Sequence, residues 1–273
     1  MEATTEKRVT TELDSPRFSA TLASEWTKLW TLRSTGAMLL FALILTAGAS
    51  AIFLLTTGAT RGESLAEMRA VDVAGTALLG VDFANLVLIV LCANVVASEY
   101  STGGIRLTLT ATPRRLRVLG AKAVVLATVA LFSGILAAAA AFVAGQLILL
   151  AQGVPVMSPT TPWLLRLGLG GALMVPFYSL LAVALAFITR SAGWAVAAVL
   201  AIMSVPALVG ALPEWWRGVL LIGLPASSLH SLSGAVSPGS PEYLAPLPAA
   251  FVLLAWVAGL LVAAYVSFAR RDA

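Results

Sequence analysis

Apolar positions in this chain run on for whole stretches instead of alternating with polar ones. A helix needs roughly 20 mostly apolar residues to cross a hydrocarbon core of about 30 Å. Six segments meet that length, at about 36–56, 76–97, 118–151, 167–189, 192–212 and 246–268. Only Asp82 interrupts the second, and the third is longer than a bilayer requires, which predicts that it tilts or projects. Ahead of the first span the pattern has a helical period. Ser15 followed by Pro16 is a start signal. Phe18, Leu22, Trp26 and Leu29 then fall on one face, with Arg17, Thr21, Ser24, Glu25 and Lys28 on the other. This predicts an amphipathic helix over 16–33 lying along the membrane surface, preceded by a flexible cytoplasmic tail at 1–14. Residues 15–273 read as a single transmembrane domain.

Composition strengthens this picture. The chain is 59% hydrophobic and 11% charged, against about 25% charge in soluble domains, so it cannot wet its own exterior. One cysteine, Cys92, permits no internal disulfide. Collagen-like, disulfide-framework and disordered classes are excluded on the same counts. The fold class expected is therefore all-α, a polytopic membrane protein with six transmembrane helices. The basic residues flank the spans and do not form a stripe with exposed aromatics, so nucleic acid is not an expected partner and the lipid bilayer is. Placing the N-terminus inside leaves thirteen Lys and Arg residues in the cytoplasm and only Arg61, Arg69, Arg166 and Arg217 outside. The positive-inside rule then puts both termini in the cytoplasm. The first 33 residues hold no apolar h-region, so no signal peptide is expected. Residues 218–241 carry no formal charge and include an apolar piece broken by Gly223, Pro225 and several serines. They read as an outer re-entrant or surface-lying element, anchored by Trp215 and Trp216 at the interface.

Candidate chemistry is sparse. The chain has no Walker phosphate loop, no HExxH and no Cys or His cluster with metal spacing. It is not expected to be an enzyme or to bind a cofactor itself. Asp82 is the acid embedded in a predicted span, near its outer end, where it could meet a cationic substrate, Arg61 or Arg69. Gln146 and Trp256 are the other candidates for lining a path, with helix packing as the alternative. His230 sits in a Ser-rich outer turn and reads as structural. Ser133, Ala137, Ala141 and Gly145 give the third span one uniformly small face for close packing, and Pro176 and Pro206 lie inside the fourth and fifth spans.

The loop after the second span is the informative stretch. It runs through Glu99, Tyr100, Ser101, Thr102, Gly103, Gly104, Ile105 and Arg106, then through Thr112, Pro113, Arg114, Arg115 and Arg117 to Lys122. Physically this is a short amphipathic piece, a Thr-Pro break, and a basic run that restarts a helix at the membrane face. In the order of Glu99, Gly103, Leu107 with Leu109, Pro113, Arg114 with Arg115, and Lys122, the loop resembles the permease subunits of the ABC transporter type-2 exporter superfamily, in particular the six-span type of actinobacteria. Gly104 stands where a Thr is common. The segment from Glu25 to Thr35 is similar to that family's entry motif, and Arg270-Arg271-Asp272 to its short tail.

The resemblance implies that 17–33 is a connecting helix (Glu25, Trp26, Lys28, Arg33) and that 99–112 is a coupling helix docking into an ATPase. Glu99, Tyr100, Thr102, Gly103, Arg106, Arg114 and Arg115 would then be its coupling residues. It also implies a plasma-membrane exporter built from two permease chains, identical or not, with two ATPase copies carrying ATP and Mg. The scant fixed charge of the spans points to an apolar or amphipathic cargo, with drug, antibiotic, peptide and lipid-like molecules all fitting. Readings outside that class are an ion-coupled secondary carrier, for which paired broken helices and midplane charges are missing, and a non-transporting membrane anchor or sensor.

Overall fold

A computed structural model describes residues 17–240 and 242–270, and it is helical throughout, with no strand among them. The start signal at Ser15-Pro16, the 1–14 tail, and Arg271 with Asp272 lie outside the described residues. A first helix, α1, covers Phe18–Thr31. Its axis breaks at extended Leu32, and α2 follows at Arg33–Arg61, closed by left-handed Gly62. The predicted second span is two pieces, α3 at Ala70–Leu78 and α4 at Val81–Ser101. Next come α5 (Gly104–Ala111), α6 (Arg115–Ala151), α7 (Pro162–Thr189) and α8 (Ala192–Gly210). The uncharged stretch at 218–241 is not one element: α9 covers Glu214–Ile222 and α10 Pro225–Ser233, with α11 at Pro246–Arg270 closing the chain.

Six of these are long and apolar enough to cross a membrane: α2, α3 with α4, α6, α7, α8 and α11. At 37 residues, α6 is roughly 55 Å long at 1.5 Å per residue, so it extends beyond a bilayer as its sequence predicts. Six crossings bring α1, α5 and the end of α11 to one end of the bundle, and α9 with α10 to the other.

Packing centres on α7, which lies against α4, α6, α8, α10 and α11. Small residues allow these approaches. A Cβ on Gly134 of α6 would stand 2.3 Å from the Ala172 carbonyl oxygen of α7. One on Gly80, at the α3–α4 break, would stand 2.1 Å from Ser50 Oγ of α2. The small face of α6 meets neighbours of the same chain, since Gly145 abuts Ala77 and Leu54, and Ala137 and Ala141 are fully buried. The short helix α10 is seated firmly on α7. Arg166 donates from Nε to the Leu232 carbonyl and from Nη2 to the Ser231 carbonyl, both at 2.9 Å, capping the end of α10. Trp256 of α11 donates from Nε1 to the Gly223 carbonyl at 3.0 Å and holds the α9–α10 junction.

Candidate functional site

The aromatic face of α1 does not pack inward. Phe18 and Trp26 are both 42% exposed, while Thr21, Glu25 and Leu29 are buried. The inner side is therefore mixed, Thr21 and Glu25 from the polar face turning inward with Leu29 and half-buried Leu22 from the apolar one, while in a bilayer the outward Phe18 and Trp26 meet lipid headgroups and acyl chains.

Glu25 joins a four-charge network at the α1/α5 end. Lys122 of α6 is 2% exposed, and its Nζ donates to Glu25 Oε2 at 2.5 Å and to Glu99 Oε1 at 3.0 Å. Lys28 donates to Glu25 Oε1 at 2.6 Å, to Glu99 Oε1 at 3.2 Å and to Thr108 Oγ1 of α5 at 3.2 Å. Two carboxylates and two ammonium groups sum to zero charge, which is what allows them to leave water together. Four elements, α1, α4, α5 and α6, are thereby tied at one point.

Burial pushes the Glu25 carboxyl up, but the ammonium groups of Lys122 and Lys28 outweigh it and hold the group below the usual glutamate value. For Lys28, burial pushes down, and the carboxylates of Glu25 and Glu99 outweigh it, leaving the amine above the usual lysine value. A depressed acid stabilises the fold above its unfolded value of about 4.3, and a raised base does so below its unfolded value of about 10.4. The network's contribution is then complete across neutral pH. It falls away as pH drops through the depressed Glu25 value or climbs through the raised Lys28 value. The thermal midpoint of the purified chain is expected to show no Glu25-dependent slope between about pH 6 and 9. A slope there that Glu25→Gln abolishes would contradict this.

The expected coupling residues divide. Glu99 and Tyr100 belong to the last turn of α4, not to the loop helix, which begins only after Thr102 and left-handed Gly103. Glu99 is turned into the network with its side chain 15% exposed, so it does not present itself to a partner. The two lysine ammonium groups offset the cost of drawing this carboxylate out of water. Tyr100 lies under the Arg190 guanidinium, 5.2 Å from the ring centre, and edge-on to Phe187. Arg115 donates to the Phe268 and Ala269 carbonyls and stacks over Phe268, so it caps α11. Arg106 and Arg114 are exposed. Arg33 is the first residue of α2 and Thr102 is the C-cap of α4.

Beside the network a groove of about 310 Å³ opens between α1 and α5, bounded by Thr21, Ser24, Lys28, Leu107, Thr108 and Ala111. Leu107 on its rim is 75% exposed.

Of the three candidates for a path, Gln146 accepts at Oε1 from the Met157 backbone at 3.0 Å, and Trp256 is engaged with Gly223 as described. Asp82 pairs with neither expected arginine. Arg69 instead holds Asp72 through Nε at 2.8 Å and Nη2 at 3.0 Å, since a neighbour three residues along the same helix is always within reach. Thr108 and Arg190 were not singled out by sequence; Lys122 was, as the lysine that opens the third span, but not as a partner of Glu25 and Glu99. Only Lys122 carried a signal, a lone charge inside an apolar run.

These features define a multi-pass membrane protein with a charged, multi-helix junction at one end. Residues 21–206 match the family model described as ABC-2 family transporter protein, and the chain belongs to that family as a permease subunit. Membrane domains of this family generally partner with an ATPase subunit. Comparison with individual curated proteins gives no match.

Proposed function

We propose that this chain is the permease of an exporter powered by a separate ATPase, which docks in the groove between α1 and α5. The four-charge network carries this reading. A partner gripping α5 pulls on Thr108 and Lys28, and through Glu99 and Lys122 the pull reaches α4 and α6, two helices that cross the membrane. Rigid helices transmit such a displacement to the far end, where α10 is seated on α7. The chain itself acts as a transport subunit and not as an enzyme, with ATP and Mg held by the partner. Two permease chains and two ATPase copies make the working assembly in the plasma membrane.

Orientation follows from charge. Arg17, Lys28, Arg33, Arg106, Arg114, Arg115, Arg117, Lys122, Arg190 and Arg270 cluster at the α1/α5 end, with Arg61, Arg69, Arg166 and Arg217 at the other. The positive-inside rule places the first group and both termini in the cytoplasm, so α9 and α10 lie on the outer side and α10 acts as the re-entrant piece. The cargo is apolar or amphipathic, in keeping with spans that carry little fixed charge.

The test is co-purification of the full chain with a candidate ATPase in detergent, comparing the native groove with Leu107→Asp. Replacing an apolar side chain buried by a partner with a charge that the contact would then desolvate costs about 2 kcal/mol or more. Retention of the ATPase is expected to fall more than tenfold, while gel filtration of the permease is unchanged. Undiminished retention removes the groove as the docking site.

A further inference from the structure

Toward the end of the bundle that holds α10, the helices α4, α7, α8 and α10 surround a group of polar atoms that the coupling network does not use. Asp82 stands in the first turn of α4 and makes no salt bridge among the described residues. Its electrostatic neighbours are His230 of α10 and Tyr178 of α7. Asn85 is three residues on, which puts it on the same face of α4. It is fully buried, at 0% exposure. Its Nδ2 points to Met203 Sδ of α8 at 4.0 Å, which leaves Oδ1 buried and without a partner. On α10, one turn before His230, the buried Ser227 hydroxyl also lacks a partner. A carboxylate and an amide oxygen both accept hydrogen bonds, and among the described residues no hydrogen bond ends on Asn85 Oδ1. Buried acceptors of this kind cost about 1–3 kcal/mol each when unmet, and a carboxylate inside a span is retained when a cation meets it.

We infer that Asp82 and Asn85 form a binding site for the protonated head of an amphipathic amine, whose N–H donors meet Asp82 and Asn85 Oδ1 while its apolar body lies against the span residues around Met203. This deepens the exporter reading by naming the class of cargo, and it rests on that reading only for the word cargo. The binding step is a property of this chain alone and needs no ATPase.

The experiment uses the full chain in lipid nanodiscs, without an ATPase, and follows the thermal midpoint during titration with n-octylamine, n-octanol, octyltrimethylammonium and sodium chloride. Octylamine is expected to give a saturable stabilisation. The neutral alcohol, the donor-free cation and the inorganic salt give none at equal concentration. Asp82→Asn is expected to weaken octylamine binding at least tenfold. Asn85→Leu, which preserves bulk and removes the acceptor, weakens it several-fold, and it serves as the second readout where Asp82→Asn does not fold. Equal stabilisation by octanol or octyltrimethylammonium, a response to sodium chloride of the same size, or undiminished binding in Asn85→Leu would each overturn the proposal. Loss of ATPase docking in the Leu107→Asp experiment leaves this result untouched, so the two failures are distinguishable.

Discussion

Lys122→Met is expected to be the most damaging single change in the chain, at about 3–5 kcal/mol, the usual cost of removing one partner from a buried ion pair. In the native protein Lys122 Nζ lies 2.5 Å from Glu25 Oε2 and 3.0 Å from Glu99 Oε1. Without it, two carboxylates face each other across the junction with Lys28 alone between them. Lys28 cannot replace the lost charge, because its one ammonium already serves both carboxylates, at 2.6 Å from Glu25 and 3.2 Å from Glu99, and one positive charge does not neutralise two negative ones. The decisive comparison is with Glu25→Gln combined with Lys122→Met, which leaves Glu99 and Lys28 as a neutral pair. That double variant is expected to recover more than half of the loss, although it removes more native contacts than the single change. Thermal midpoints of the four members of the cycle, measured in one detergent, show whether the two losses are coupled. Additive losses would mean that the residues act independently, and the proposed mechanical link from α5 to α6 would lose its basis.

The span pattern was legible because lipid demands about 20 apolar residues per crossing, and the six segments are long and uninterrupted. The partners of the charges were not. On α1 the helical period separated Glu25 and Lys28 from Trp26 correctly, but in water the apolar face of such a helix turns inward. Here the buried side takes Thr21 and Glu25 along with Leu29 because Glu25 meets charged partners, and the sequence does not carry the pairing. Glu99 illustrates the same limit. Its place after an apolar span looks like the start of a solvated loop, whereas α4 continues two residues beyond it and two lysines from other helices draw it inward. Lys122 was visible as a charge inside a run of alanines and valines, and its three-dimensional partners lie 23 and 97 residues away. The break between α3 and α4 is a tertiary matter too, since Gly80 is needed there by the approach of Ser50 on α2 and not by any local pattern.

Three glycines along α7 offer the sharpest test of how α10 is held. A methyl group on Gly170 would sit 2.0 Å from Ser233 Cβ and 2.5 Å from its Cα, whereas Gly168 and Gly171 have nothing within 4 Å. Alanine is the better helix former by up to about 1 kcal/mol, so Gly168→Ala and Gly171→Ala are expected to be neutral or slightly stabilising. Gly170→Ala must instead displace the end of α10, and Ser233 has little freedom to yield. It precedes left-handed Gly234, and the Leu232 and Ser231 carbonyls are held by Arg166. Overpacking at a backbone contact costs about 1–3 kcal/mol, and here the strain falls on a single short helix, so its local unseating should exceed the global loss. A cysteine at position 228, which is fully buried in the native chain, reports this in a Cys92→Ala background. Maleimide labelling of Ser228→Cys is expected to be slow in the parent and in Gly168→Ala, and to rise more than tenfold in Gly170→Ala. If labelling rises equally with Gly168→Ala, α10 is loosened by any change in α7, and the close contact at Gly170 is not what holds it. If it rises with neither, α10 is secured by the Arg166 cap and the Trp256 bond alone.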